Sequence, residues 1–249
     1  MKATSAALYG KGVFTTVAIE SAQPLLWSKH WHRLEDDAGK IGVDLSKHSD
    51  ESTKDRLIEL ISSGDLVHGR ARICFLDDRP SGFWPAETTE RQTTSLHIIL
   101  GERRLIPETF RLGISPYPVN ARSPLAGVKS CNYLEPIMSL DEAKGCGFDE
   151  AVRLNENGHV TSACMANVFW LIGERLFTPS LTTGCLPGTT REFVLENIEC
   201  EAAEASIDEL NAAEAVFLTS AGIGIVRVAE FDGRILVDPQ HPIQTLWPN

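Results

Sequence analysis

Between positions 118 and 135 the chain reads Pro118-Val119-Asn120-Ala121-Arg122-Ser123-Pro124-Leu125-Ala126-Gly127-Val128-Lys129-Ser130-Cys131-Asn132-Tyr133-Leu134-Glu135. The stretch Pro118–Gly127 has two prolines, a glycine and small polar side chains. It supports neither helical nor strand periodicity and reads as a linker. Upstream, Val13–Ile19 is rich in β-branched residues and predicts a strand. Ser28–Gly42 predicts a helix, with Trp31, Leu34, Ala38 and Ile41 near helical spacing and Gly42 as its stop. Ser52–Ser62 predicts a second helix, with Ser52 and Asp55 placed like a capping box. Strands follow at Arg70–Leu76, Ser95–Leu100 and Phe110–Tyr117. This order suggests an α+β layer.

Downstream the pattern changes. A helix is expected near Asn132–Lys144, with Pro136 confining or kinking it. Short strands are expected at Glu150–Leu154, Val160–Ser162, Val168–Ile172 and Leu176–Thr178, separated by turn residues such as Asn155-Glu156-Asn157-Gly158. A helix should run from Gly188 to about Ile198, followed by strands Ala215–Thr219 and Ile225–Phe231.

The 249 residues carry 23 Lys+Arg against 34 Asp+Glu, a net charge of −11, with 43% hydrophobic residues. That balance excludes a disordered chain. A chain of this size buries roughly 70–75% of its unfolded surface, enough to hold a core without disulfides or a structural metal. The negative charge argues against nucleic acid as a partner. The six cysteines form no C-x-x-C pair and read as reduced thiols of a cytoplasmic protein. The start of the chain has no apolar signal segment, and no apolar run is long enough for a membrane span.

Four local features bear on chemistry. Lys129 follows Gly127 and Val128 just before a helix; burial there would make it a usable amine nucleophile or base, the alternative being a solvated lysine. Thr182–Arg191 opens a helix at Pro187-Gly188, where the N–H groups and hydroxyls of Thr189 and Thr190 could hold a phosphate, or merely cap the helix. Thr219-Ser220-Ala221-Gly222-Ile223-Gly224 lets a ligand approach the backbone closely, or forms a tight turn. In His30-Trp31-His32-Arg33-Leu34, Arg33 could serve as a phosphate partner, whereas the two histidines, with no carboxylate or third His at a matching spacing, read as packed or surface residues rather than a metal site.

In this order the segments resemble the class IV (fold type IV) pyridoxal-phosphate enzymes, which include branched-chain aminotransferases, D-amino-acid aminotransferases and aminodeoxychorismate lyases. The matching stretches are Tyr9–Thr16, His30-x-x-Arg33-Leu34, Lys129–Glu135, Gly147–Ala151, Val160-Thr161 through Trp170, Thr178-Pro179, Leu186–Arg191 and Val216–Thr219. They cover nearly the whole chain, and the specific signal is their joint order. The resemblance implies an α+β fold of two domains: a small α/β sandwich over 1–117, the linker 118–127, and a larger β-barrel-like domain with helices over 128–249. It also implies pyridoxal 5'-phosphate as cofactor, a small-molecule amine as substrate, and a homodimer.

The resemblance further assigns roles. Lys129 forms the Schiff base with the cofactor aldehyde and shuttles protons. Arg33 with Gly188, Thr189 and Thr190 holds the phosphate, and Tyr133 lies near the ring hydroxyl. Three departures stand out. Ser162 occupies the place of a glutamate that salt-bridges the pyridine nitrogen. Ala221 takes a position that often carries a hydroxyl, leaving Ser220 or backbone N–H groups to serve. Only eight residues precede Tyr9, so the family's first hairpin is expected to be largely absent.

A carboxylate would keep the ring nitrogen protonated, whereas a neutral serine leaves a weaker electron sink. Transamination needs the deep sink more than elimination does, which favours a lyase. Phe14-Thr15-Thr16, Arg122–Lys129 and Met165–Trp170 also look lyase-like. On that reading the substrate is 4-amino-4-deoxychorismate, the products are 4-aminobenzoate and pyruvate, and Thr15 and Arg122 contact the substrate. Arg122 suits a carboxylate, the alternative being a solvated linker arginine. The rival readings are an aminotransferase acting on D- or branched-chain amino acids and a non-catalytic pyridoxal-phosphate binder.

Overall fold

In the computed structural model, which describes residues 3–80 and 93–247, the chain divides into two units. One is Met1–Arg104 with Val128–Tyr133; the other is Leu105–Gly127 with Leu134–Asn249.

The first unit begins with a short helix α1 (Ser5–Tyr9), then β1 (Gly12–Glu20), β2 (Gln23–Pro24), α2 (Trp27–Ile41), α3 (Asp50–Ser63), β3 (Gly69–Asp77) and β4 (Thr94–Gly101). The four strands form one antiparallel sheet in the order β2-β1-β3-β4. Its alternation divides the residues by face. Val13, Val17, Ile19, Ala71, Ile73 and Phe75 pack with Trp31 and Leu34 of α2 and Leu57 and Ile61 of α3. Phe14 and Cys74 pair across β1 and β3, as do Thr16 and Arg72. Gly42, at φ 67, ends α2 as expected. The cap of α3 is displaced from its expected place: Ser49 is the N-cap, with Ser52 as its capping-box partner. Ser49 and Ser52 are both good N-cap residues, and the structure uses the earlier one.

Val128–Tyr133 belongs to this unit for a backbone reason. Phe14 N–H donates to the Lys129 carbonyl at 3.0 Å, Cys131 N–H donates to the Gly12 carbonyl at 2.8 Å, and Val13 bridges Ser130. The segment thus lies along β1, on the edge that β2 occupies further on. Gly12 has no room for a Cβ, which would sit 2.7 Å from the Phe75 carbonyl oxygen and 3.1 Å from Cys131 Sγ. The division therefore differs from the expected boundaries 1–117, 118–127 and 128–249: residues 105–117 go with the second unit, and Lys129 with the first.

The second unit contains β5 (Arg111–Ile114), α4 (Leu134–Gly145), β6 (Glu150–Leu154), β7 (Val160–Ala163), β8 (Asn167–Ile172), β9 (Arg175–Pro179), α5 (Thr189–Asn197), β10 (Glu201–Ala203), α6 (Ile207–Asn211), β11 (Ala215–Ser220), β12 (Gly224–Arg227), β13 (Glu230–Phe231) and β14 (Arg234–Ile235). Two five-stranded sheets form, β10-β9-β8-β11-β12 and β14-β13-β5-β6-β7. Strands β8 and β11 are covered on both faces. Val168, Trp170, Val216 and Leu218 enter one core with Phe110, Leu112, Val152 and Val160. Phe169, Leu171, Ala215 and Phe217 enter another with Val194 of α5. Covering both faces explains the unbroken apolar runs.

Pro136 neither confines nor kinks α4. It is the helix's third residue, where a backbone N–H has no intrahelical acceptor to lose. The strand expected at Ile225–Phe231 is two strands, β12 and β13, interrupted at Val228-Ala229. Among the described residues no helix is long and apolar enough to cross a membrane.

Candidate active site

Helix α2 carries His30, Arg33 and Asp37 at i, i+3 and i+7, hence on one face. His30 and Asp37 are buried among the apolar side chains of the first unit. Arg33 Nη2 donates to Thr15 Oγ1 at 2.8 Å. Thr15 Oγ1 lies 2.6 Å from His30 Nδ1. With the threonine oxygen accepting from Arg33, its own proton is directed to His30, which then accepts on Nδ1 as a neutral imidazole. Burial, then the charges of Arg33 and Lys129, push the His30 pKa well below its ordinary value and favour that neutral form.

The segment beside β1 delivers Lys129 to this cluster. Its peptide N–H donates to Asp37 Oδ2 at 3.0 Å. Its Nζ lies 3.4 Å from Tyr133 Oη, 4.4 Å from the centre of the Phe14 ring and 4.8 Å from the centre of the Tyr133 ring. Phe14 and Tyr133 meet edge to face, with ring centres 5.0 Å apart. The guanidinium of Arg72 sits over Phe14 at 3.6 Å. Burial lowers the Lys129 pKa to about 7, assisted by Arg33 and Arg72 and opposed by Asp37. A substantial fraction of the amine is therefore unprotonated, and nucleophilic, near neutral pH.

The second unit assembles its own candidates around the start of α5. Gly188 is the N-cap, and Thr189, Thr190 and Arg191 are buried. A Cβ at Gly188 would fall 2.0 Å from Asn167 Oδ1. Asn167, on β8, also donates to the Leu186 carbonyl at 2.8 Å, and it pairs across β11 with Thr219. Among the described residues, the hydroxyls of Thr190 and Thr219 are buried without a hydrogen-bond partner. A helix start with idle hydroxyls and no side chain at its cap can accept an anionic group. Ser220 and Ala221 follow Thr219 and are half-buried.

Ser162 lies half-buried on β7, opposite Arg153 of β6. Arg153 is buried and ion-paired with Glu135, and among the described residues its Nε has no hydrogen-bond partner. The neighbour of Ser162 is thus a cation. Arg122 is exposed in a loop, and its backbone N–H donates to Asn120 Oδ1 at 2.9 Å.

The structure brings Lys129, Arg33, Thr15 and Tyr133 together in one unit; in the other, Gly188, Thr189 and Thr190 stand at the start of α5 beside Asn167, whose strand partner Thr219 precedes Ser220 and Ala221. Sequence reasoning missed Asp37, Arg72 and Asn167 as members, and named Thr219 only as the start of a segment that a ligand could approach. The helical spacing of His30, Arg33 and Asp37 was the available signal for the first; the rest depend on strand register. Among the described residues no group of three His, Cys, Asp or Glu is placed to hold a metal ion.

The family model described as Amino-transferase class IV matches residues 12–231. The chain is 29% identical over 235 residues to the aminodeoxychorismate lyase of Bacillus subtilis (strain 168), covering 88% of this chain and 77% of that protein. It is 28% identical over 238 residues to the aminodeoxychorismate lyase of Vibrio harveyi, covering 89% and 83%. Among solved structures, the branched-chain aminotransferase of Thermoproteus uzoniensis with norvaline superposes with a TM-score of 0.87 at 25% identity, covering 98% of this chain and 85% of that one.

Proposed function

The chain belongs to the amino-transferase class IV family, and from that premise we propose that it is a pyridoxal-phosphate-dependent lyase converting 4-amino-4-deoxychorismate to 4-aminobenzoate and pyruvate. The observation that carries the proposal is Lys129, an amine held near a pKa of about 7 beside Tyr133, Phe14 and two arginines.

Each unit, taken by itself, carries residues whose chemistry suits pyridoxal phosphate. A neutral amine suits the aldehyde. In the second unit, the start of α5 offers a phosphate its backbone N–H groups and the hydroxyls of Thr190 and Thr219, where a side chain at Gly188 would intrude. When bound, pyridoxal phosphate supplies an electron-accepting ring conjugated to the substrate nitrogen. Lys129 takes the proton from the substrate carbon that bears the nitrogen, as enolpyruvate departs. Tyr133, 3.4 Å from Nζ, orients that amine, and Phe14 shields it from water.

Ser162 supports elimination over transamination. It offers a neutral hydroxyl opposite Arg153, and neither group would protonate a ring nitrogen. The two lyase relatives support the substrate. The second reading, an aminotransferase, has the likeness to the Thermoproteus uzoniensis enzyme in its favour.

The test is product formation. Incubated with aminodeoxychorismate and no keto acid, the purified protein is expected to release pyruvate, and Lys129→Ala is expected to lose at least about a thousandfold in rate. Borohydride reduction should leave a pyridoxyl group on the Lys129 peptide. Turnover that requires an added keto acid and yields an amino acid would replace the lyase by the aminotransferase.

A further inference from the structure

Asp37 reaches Lys129 by two routes. Its Oδ2 accepts the Lys129 peptide N–H at 3.0 Å, and its charge opposes those of Arg33 and Arg72 at the ammonium. The residue is 1% exposed and sits on a helix face whose other buried members are Trp27, His30, Trp31, Leu34 and Ala38. Among the described residues its Oδ1 has no hydrogen-bond partner, and the ammonium of the exposed Lys40 lies 3.6 Å away. Burial raises the Asp37 pKa, so a carboxylate here is costly. Accepting one peptide N–H does not need a charge, because a serine or asparagine oxygen would do it.

The charge has a use at the lysine. Among the described residues of the first unit, the groups that act on the ammonium are Arg33 and Asp37 from α2, Arg72 from β3, the Tyr133 phenol, and the neutral His30 of the same cluster. Burial first, and then these two cations, press the amine to lose its proton, and the Asp37 charge opposes them. We propose that Asp37 is the positioning residue of Lys129: it pins the lysine's peptide to α2, and its negative charge lets the amine both hold and release a proton near neutral pH. The inference deepens the proposed function, since it rests on Lys129 being the reactive amine.

The test is competitive acetylation of Lys129 in the full chain across pH, read by peptide mass spectrometry, together with hydrogen exchange of the Lys129 amide. Asp37→Asn keeps an acceptor and removes the charge. Its labelling midpoint is expected about one unit below the unsubstituted chain, which makes labelling at pH 6 about fivefold faster, with the amide still protected. Asp37→Ala removes both and should also accelerate amide exchange at Lys129 by at least about tenfold. An unchanged midpoint in Asp37→Asn overturns the proposal, as does unchanged amide exchange in Asp37→Ala. If the alanine variant does not fold, the asparagine midpoint alone decides. Acetylation needs no cofactor, so failure of the functional reading shows separately, as a Lys129 peptide that borohydride leaves without a pyridoxyl group.

Discussion

His30 shows how burial governs charge in the lysine cluster. Its imidazole accepts from Thr15, and its pKa lies well below 6.5 because of burial first and the neighbouring cations second. A group whose folded pKa is depressed contributes stability that is complete above its unfolded value and is lost as pH falls towards the folded one. Between pH 7 and pH 5 this histidine should therefore cost the protein up to about 1.4 kcal/mol per pH unit. His30→Gln is expected to flatten that part of the pH–stability curve, measured as thermal midpoints; an equal slope in both proteins would contradict the assignment. The sequence shows Lys129 as a candidate, because Gly127, Val128 and a following helix start are local. It hides Asp37, whose bond to Lys129 joins residues 92 positions apart.

Elements with a strong period were legible. Strands β1 and β3 and helices α2 and α5 lie where alternation, helical spacing and stop residues put them, within two residues at each end. Short elements were not. Helix α1 has five residues and no buried side chain, and β2 and β14 have two residues each, too few to establish a period. Pro136 misled because a proline's effect depends on its place in the helix, which sequence locates only within a few residues. The start of α5 gives a test at this scale. Gly188→Ala drives a methyl group into the Asn167 side-chain oxygen, so the turn must move. The variant is expected to lose about 1–3 kcal/mol of stability by denaturant titration. Its affinity for pyridoxal phosphate should fall more than its affinity for pyridoxal, which has no phosphate; equal losses would remove the anion role of this turn.

For the whole chain, composition established a folded protein with ample core, and the order of motifs established the family. Boundaries between units were harder to read, because a proline-rich stretch marks where regular structure stops and says nothing about which sheet the flanking residues join. The core itself follows ordinary packing rules. Leu57 is fully buried against the first unit's sheet, and Leu57→Ala should cost about 2–5 kcal/mol, seen as a lower urea midpoint with an unchanged m-value. The backbone bonds of Phe14 and Cys131 carry a consequence for biosynthesis. Ribosomes deliver chains from the amino end, so β1 emerges more than a hundred residues ahead of the segment that completes its edge. Throughout that interval the nascent protein presents an open strand, a ready template for pairing with another chain. The reactive amine and the piece that closes this edge arrive together, in a single stretch of six residues, Val128–Tyr133.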